Sequence, residues 1–425
     1  MRAVPPLLLA VAAALAASDA ASAAVVERRC GPLVDPIDCR VAPLVVTAAP
    51  GEANRLSFSH DGRAVTVRDA GAPPTAGAGC TDAGADAVRC EAPLVTSGDP
   101  LPVTIDTGDG HDVVDAGGLG VAGVLVALVV EGGAGDDALA IGDLRVASPE
   151  ATPSADGGPG RDWVAGGAQR DLVEGGAGED VLLGGGGNDA LNGDPGNARA
   201  ADAIDGGDGL DSAGYEDRSA PLTVDLSDPA PDGSPGESDR LTGIEGVVGG
   251  SGDTILRGDG GPNELVAPYG NAGVVSRVTG LGGDDRLTGR TVDGGPGDDV
   301  LSARVRLRCG PGRDTVFDPR LLAPRPARDC ERMDLDGLVV DAWTARRARG
   351  GVLLDVERTE RGRGRVLLRA AGRTVARRRA PRTAARQALL LRLRPSAPRA
   401  PRRLAVVYDP AAPGVPTRGF RALVR

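Results

Sequence analysis

Lysine is absent from this 425-residue chain, and all 48 of its basic residues are arginine. A Walker-type phosphate loop, which needs a lysine, is therefore excluded. Phe, Tyr and Trp together number 8, too few for a large core anchored on aromatic rings. The 2 histidines, His60 and His111, rule out a multi-histidine metal site and a histidine-rich catalytic centre. Neither has an obvious serine partner, and no G-x-S-x-G elbow or H-E-x-x-H zinc motif is present. Glycine fills the gap: 65 residues, about 15% of the chain and roughly twice the ordinary share, beside 33 prolines.

Charge is divided along the chain. From Asp341 to Arg425 there are 22 Arg against 5 acids, a net charge of +17, whereas the first 340 residues carry a net −28. An acidic body thus precedes a basic tail, and the overall −11 argues against simple nucleic-acid binding. At the N-terminus, Arg2, the apolar run Pro5–Ala17 and the small residues Ala21-Ser22-Ala23 read as a secretory leader over 1–23, cleaved after Ala23. The apolar run is short of the ~20 residues a membrane span needs, and no later segment reaches that length. An exported, oxidising destination suits the 6 cysteines. The simplest of their possible pairings joins Cys30 to Cys39, Cys80 to Cys90 and Cys309 to Cys330. Without a C-x-x-C, a structural zinc site is the weaker reading.

An internal repeat carries the chemistry. From Gly157 the chain runs GGPGRDWVA, GGAQRDLVE, GGAGEDVLL, GGGGNDALN, four consecutive nine-residue units. Separate copies are GGAGDDALA from Gly132, GGDGLDSAG from Gly206 and GGPGDDVLS from Gly294. Looser ones begin at Thr107, Gly280 and Cys309. The shared form is G-G-x-G-x-D-x-U-x, with U aliphatic. Glycines permit a tight turn of positive φ that aims carbonyls at one spot. The sixth-place Asp adds a carboxylate, completing the all-oxygen coordination that suits Ca²⁺. Positions seven to nine make a short strand whose eighth side chain, Val164, Val173, Leu182 or Leu191, points inward. Two units form a coil of 18 residues, so Asp162 is expected to stack near Asp180, and Asp171 near Asp189. Such carboxylates repel without a cation between them, which couples folding to metal binding.

This stretch resembles the hemolysin-type calcium-binding repeat family, the RTX nonapeptide proteins, over roughly Asp106 to Met333. The resemblance implies a parallel β-roll with Ca²⁺ between successive turns. The expected ligands are Asp112; Gly133, Gly135 and Asp137; Gly158, Gly160 and Asp162; Gly167 and Asp171; and Gly176, Gly178 and Asp180. Gly185, Gly187 and Asp189, then Gly207, Gly209 and Asp211, continue the set, followed by Asp285, Gly295, Gly297, Asp299 and Asp314. The motif also has departures: Gln169 stands at a fourth glycine, extra residues precede Asp202, Thr254 occupies a sixth place, and Asn263 another. An insert, Tyr215 to Leu226, reading Y-x-x-R-x-x-P-L-T-V-D-L, resembles one recurring in large secreted calcium-repeat proteins of high-GC bacteria.

Alternating apolar residues at 44–47, 55–59, 64–67 and 103–105 predict a β cap over 24–105. His60, beside Asp61-Gly62, is expected in an exposed turn. The Arg-rich tail, 334–425, shows strand patterns at 352–356, 365–368, 373–377, 388–393 and 404–408, expected as a small β-sandwich. Gly118 to Gly123 matches G-x-G-x-x-G, but runs into a β-branched segment rather than a helix and is set aside. The whole is expected to be an all-β, secreted, non-enzymatic Ca²⁺-binding protein. Its roll, 106–333, would lie between the cap and the tail. Extracellular modules of this type bind with Kd of roughly 10⁻⁴ to 10⁻³ M. The alternatives are a cell-surface adhesion or matrix protein whose basic tail holds an anionic envelope polymer, and a secreted hydrolase.

Overall fold

The computed structural model describes residues 24–29, 42–92, 100–121, 124–144, 152–196, 199–268, 273–316 and 330, and, as backbone, nine strands between 332 and 423. The leader expected over 1–23 and the Cys30–Cys39 couple lie outside the described residues. Strands dominate throughout: among the described residues the one helical piece is a 3₁₀ turn, Gly117–Leu119. That turn opens the G-x-G-x-x-G segment and is followed by a strand, Val126–Glu131. No helix of the described residues is long and apolar enough to cross a membrane. The chain forms two compact units, Met1–Pro221 with Pro229–Val248, and Leu222–Asp228 with Gly249–Arg425.

In the first unit, strands alternate between two parallel sheets. One sheet runs Leu44–Thr47, Leu101–Asp106, Val126–Glu131, Ser154–Pro159, Leu172–Ala177, Ala190–Asn192, Ser212–Gly214, Gly246–Val248. The other runs Arg55–His60, Val113–Asp115, Ala138–Ala140, Trp163–Ala165, Val181–Gly187, Ala203–Gly209, Arg240–Thr242. Each strand is too short to hold itself, and its backbone groups are satisfied by the coil above and the coil below. Coils advance by 25 residues from Asp112 to Asp162, by 18 through the four consecutive repeats, and by 22 to Asp202 and Asp211. The 18-residue coil is the two-unit period of the sequence. Parallel stacking also reaches back into residues 44–60, ahead of the recognisable repeats.

The eighth-place side chains form the core. Leu139, Val164, Leu182 and Ile204 stack in register on one sheet, and Ala155, Val173, Leu191 and Ala213 on the other, all within 3% of full burial. Each such Val or Leu contributes about 1.5–3 kcal/mol on burial, so an aliphatic column replaces the aromatic core that the composition forbids. Between the first coils, Arg55–His60, Ala64–Asp69, Ala87–Glu91 and Cys80–Asp82 form an antiparallel extension. The Cys80–Cys90 disulfide joins directly opposed residues of two of these strands. His60 is buried here rather than exposed, at 6% accessibility. Its Nδ1 accepts the Gly62 N–H, which fixes the proton on Nε2 for donation to the Ala92 carbonyl.

The second unit repeats the principle, and its period shortens along the chain. Leu222–Asp225, Thr254–Arg257 and Ser276–Thr279 stack in parallel on the Thr291–Asp293 end of the long strand Arg286–Asp293. Glu264–Val266 pairs with the other end of that strand. Val300–Arg308 and Thr315–Val316 follow, the coil now advancing by 14 or 15 residues. One bent strand here replaces strand, turn and strand, so glycine turns occupy a single edge. The Cys309–Cys330 disulfide brackets the Thr315–Val316 strand in sequence. Beyond Arg332–Asp334 pairing becomes antiparallel. Gly351–Arg358 pairs with Leu338–Asp341 and Arg386–Arg392, and a separate sheet holds Arg373–Arg379, Gly364–Ala370, Arg403–Pro410 and Arg418–Leu423 in that order. All five strands expected in the tail are present. The basic-tail polymer contact concerns side chains outside the described residues.

Candidate metal centre

At several second and fourth places the repeat turns stack too closely for any side chain. A Cβ on Gly178 would lie 1.4 Å from the Gly160 carbonyl oxygen, and one on Gly176 would lie 1.9 Å from that of Gly158. Carbonyls from successive second- and fourth-place glycines are thereby brought into columns. The first-place glycine does a different job: at Gly175 a Cβ would fall 2.6 Å from Asp180 Oδ2, so its absence leaves room for that oxygen.

The sixth-place aspartates form ladders. Asp112, Asp137, Asp162 and Asp180 each donate their backbone N–H to Oδ1 of the next sixth-place carboxylate, namely Asp137, Asp162, Asp180 and Asp202, at 2.8–2.9 Å. On the opposite edge Asp171 N–H donates to Asp189 Oδ1, and Asp189 N–H to Asp211 Oδ1. In the second unit Asp285 N–H donates to Asp299 Oδ1, and Asp299 N–H to Asp314 Oδ1. The predicted ligands therefore fall into three groups. Gly133, Gly135, Gly158, Gly160, Gly176 and Gly178 share an edge with Asp112 to Asp180. Gly167, Gly185, Gly187, Gly207 and Gly209 share one with Asp171, Asp189 and Asp211. Gly295 and Gly297 lie with Asp285, Asp299 and Asp314.

Oδ1 is thus committed to the fold, and Oδ2 decides whether a cation fits. In Asp137, Asp162, Asp180, Asp189, Asp202, Asp211, Asp285 and Asp299 the Oδ2 atom is buried and has no hydrogen-bond partner. These residues are at most 2% exposed. An oxygen stripped of water without a donor is costly in its charged form. Burial accordingly pushes the Asp162 and Asp202 carboxyls up to about 8, and Asp137, Asp180 and Asp189 to about 6. Asp112 and Asp285 are raised to about 7 for the same first reason. Neighbouring carboxylates add to the rise at Asp162, from Asp137 and Asp180. No three His, Cys, Asp or Glu side chains converge on one point among the described residues. Each turn offers carbonyls and single carboxylates instead, a hard, flexible oxygen set that suits Ca²⁺ better than a transition metal.

Asp171 departs from the predicted pattern. Its Oδ2 accepts the Gly167 N–H at 2.6 Å. Gly167 lacks the positive φ of Gly158, Gly176, Gly185 and Gly207, and Gln169 stands where a fourth glycine belongs. The backbone turns its amide toward the carboxylate, and this turn closes on itself. At another departure Thr254 donates its hydroxyl to the Gly252 carbonyl, putting a proton where a ligand oxygen would be needed. Leu281, at a second place, keeps the turn through a positive φ of 79°.

Several members of the ladders escaped the sequence pattern. Asn54 caps the first one, donating N–H and Nδ2–H to Asp112 Oδ1. Asp202 takes its place despite the extra residues before it, and its own N–H donates to Asp239 Oδ1. Glu245 Oε2 accepts the Asp211 N–H. Asn263 begins the second unit's ladder, donating to Asp285 Oδ1. An Asn or Asp two residues before a leucine, as in Asn54-Arg55-Leu56 and Asp239-Arg240-Leu241, was the available signal.

The Tyr215–Leu226 insert supplies a built-in cation. Arg218, 2% exposed, pairs with Asp194 Oδ2 at 3.3 Å and with Glu237, and it lies over the Tyr215 ring. The Tyr215 hydroxyl donates to Asp239 Oδ2 at 2.9 Å. At this end of the ladder the second carboxylate oxygen is thus held by a phenol rather than left bare.

Stacked glycine turns, columns of carbonyls and bare buried carboxylate oxygens at most of the turns define the parallel β-roll as the class of this structure. Residues 156–197 match the family model of the RTX calcium-binding nonapeptide repeat, in 4 copies. Repeats of this family bind calcium ions, and the chain is a calcium-binding protein on that ground. No curated protein matches the chain.

Proposed function

We propose that this chain is a secreted calcium-binding protein whose roll folds as it acquires Ca²⁺ outside the cell, without a catalytic role. The observation that carries the reading is the set of eight buried carboxylates, spread over three ladders, whose Oδ2 atoms have no protein partner. Asp180 with the carbonyls of Gly176 and Gly178 would hold one ion, and Asp189 with Gly185 and Gly187 another. The bound ion supplies the positive charge that the dry carboxylates lack. The chain supplies the rest: glycine columns set the carbonyls, the Oδ1 hydrogen bonds orient each carboxylate, and aliphatic columns exclude water. Cytosolic calcium lies far below the ~10⁻⁴ to 10⁻³ M affinity of extracellular modules, which would keep the chain unfolded until export. The leader-like N-terminus supports the same destination.

Isothermal titration calorimetry of residues 24–425 with Ca²⁺, and with Mg²⁺ as control, tests the binding. Several Ca²⁺ per chain with little Mg²⁺ heat is expected, and absence of calcium heat would overturn the reading. N-terminal sequencing of the protein in culture fluid tests export, with a mature start at Ala24 expected.

A further inference from the structure

The outer sheet face of the second unit carries a feature that the calcium turns do not use. Arg277, Thr291 and Arg306 stand in register on three neighbouring parallel strands. One residue pair further along, Thr279, Asp293 and Arg308 do the same. Together they line a shallow groove of about 200 Å³. Arg308 is tied to Asp293 at 3.4 Å, and Arg257, one strand away, to Asp225 at 3.3 Å. Arg277 and Arg306 have no carboxylate within ion-pair distance among the described residues, and both are exposed. Two strand spacings place their Cα atoms ~10 Å apart on one face, a spacing at which the two side chains can hold two separate anionic groups of one extended ligand. Guanidinium groups are forks shaped for carboxylates and phosphates alike.

The remaining lining narrows the chemistry. Thr279 and Thr291 bring hydroxyls that donate and accept, which suits a ligand rich in hydroxyl groups. Ile255, 39% exposed and in register with Arg277, offers an apolar surface beside one guanidinium. No aromatic side chain lines the groove, so the stacking platform that single-stranded nucleic acids use is missing. We propose that this groove binds an acidic polysaccharide, with Arg277 and Arg306 each holding a carboxylate of successive acidic sugars, and Thr279 and Thr291 holding sugar hydroxyls.

The test uses the full mature chain at saturating Ca²⁺, with hyaluronan oligosaccharides as the acidic sugar polymer, dextran as the neutral one and inorganic sulfate as the free anion. The wild type should bind hyaluronan, ignore dextran and bind sulfate far more weakly. R277Q/R306Q should weaken hyaluronan binding by at least about tenfold. Replacing tail arginines, as in R373Q/R377Q, should leave most of it intact. Circular dichroism of each variant reports folding independently, and the single variant R306Q serves if the double one folds differently. Hyaluronan binding unchanged in R277Q/R306Q, lost only with the tail arginines, or matched by dextran or by sulfate would overturn the assignment. Calcium-induced folding without hyaluronan binding would refute the groove while leaving the calcium reading in place.

Discussion

At the scale of single residues, each position of the nonapeptide has one physical task, and the consequences of changing it differ accordingly. Asp180 and Asp189 each present one oxygen to the neighbouring coil and one bare oxygen to the turn. D180A with D189A is expected to weaken calcium-induced folding, raising the midpoint of a Ca²⁺ titration by about tenfold, and unchanged calcium dependence would sink the ligand assignment. Gly178 has no slack: the 1.4 Å approach to the Gly160 carbonyl means that G178A must push two coils apart. Overpacking of this kind costs about 3 kcal/mol, read as a lower denaturation midpoint even at saturating Ca²⁺. Gln169→Gly should act the other way, letting the turn adopt the positive-φ path and freeing Asp171 Oδ2 from the Gly167 amide. One additional calcium per chain by calorimetry is the expected result.

At the scale of elements, the ladder and the insert behave as units. In the metal-free roll, burial raises the carboxyls of Asp137, Asp180 and Asp189 to about 6 and those of Asp162 and Asp202 to about 8. In the unfolded chain they titrate near ~3.9. Between those values the folded form binds more protons, so its stability is full at the acidic end and is lost as pH rises through about 6 to 8. Chelated protein should therefore gain β signal when pH is lowered from about 8 to about 5. Calcium affinity should change in the opposite direction, since protons compete for the same oxygens. Thermal melts across pH, with chelator and with Ca²⁺, read both slopes. The insert makes its own prediction. Arg218→Met removes the guanidinium that lies between Asp194 and Glu237, leaving buried charges unpaired. A loss of about 3–5 kcal/mol in denaturant unfolding at saturating Ca²⁺ is expected.

Across the whole molecule, the roll was legible where the period was regular and illegible where another group took over a motif residue's task. Val164, Val173, Leu182 and Leu191 are buried as their eighth-place register requires, and Asp162 and Asp171 stack on Asp180 and Asp189 as the 18-residue coil demands. Both disulfide couples within the described residues pair as neighbours. Asn54, Asp239 and Glu245 were hidden because only their backbone position, not a glycine signature, marks them as ladder members. The closed turn at Asp171 was hidden because one amide orientation decides it, and sequence shows only that Gln169 is out of place. Burial of His60 depended on the Ala92 carbonyl, 32 residues away. If calcium replaces the protein partners these carboxylates lack, a far-UV circular dichroism titration of chelator-stripped residues 24–425 will show it. A largely disordered spectrum that converts to β structure with Ca²⁺ and not with Mg²⁺ is the expected result. A β spectrum that is complete without either ion would contradict it.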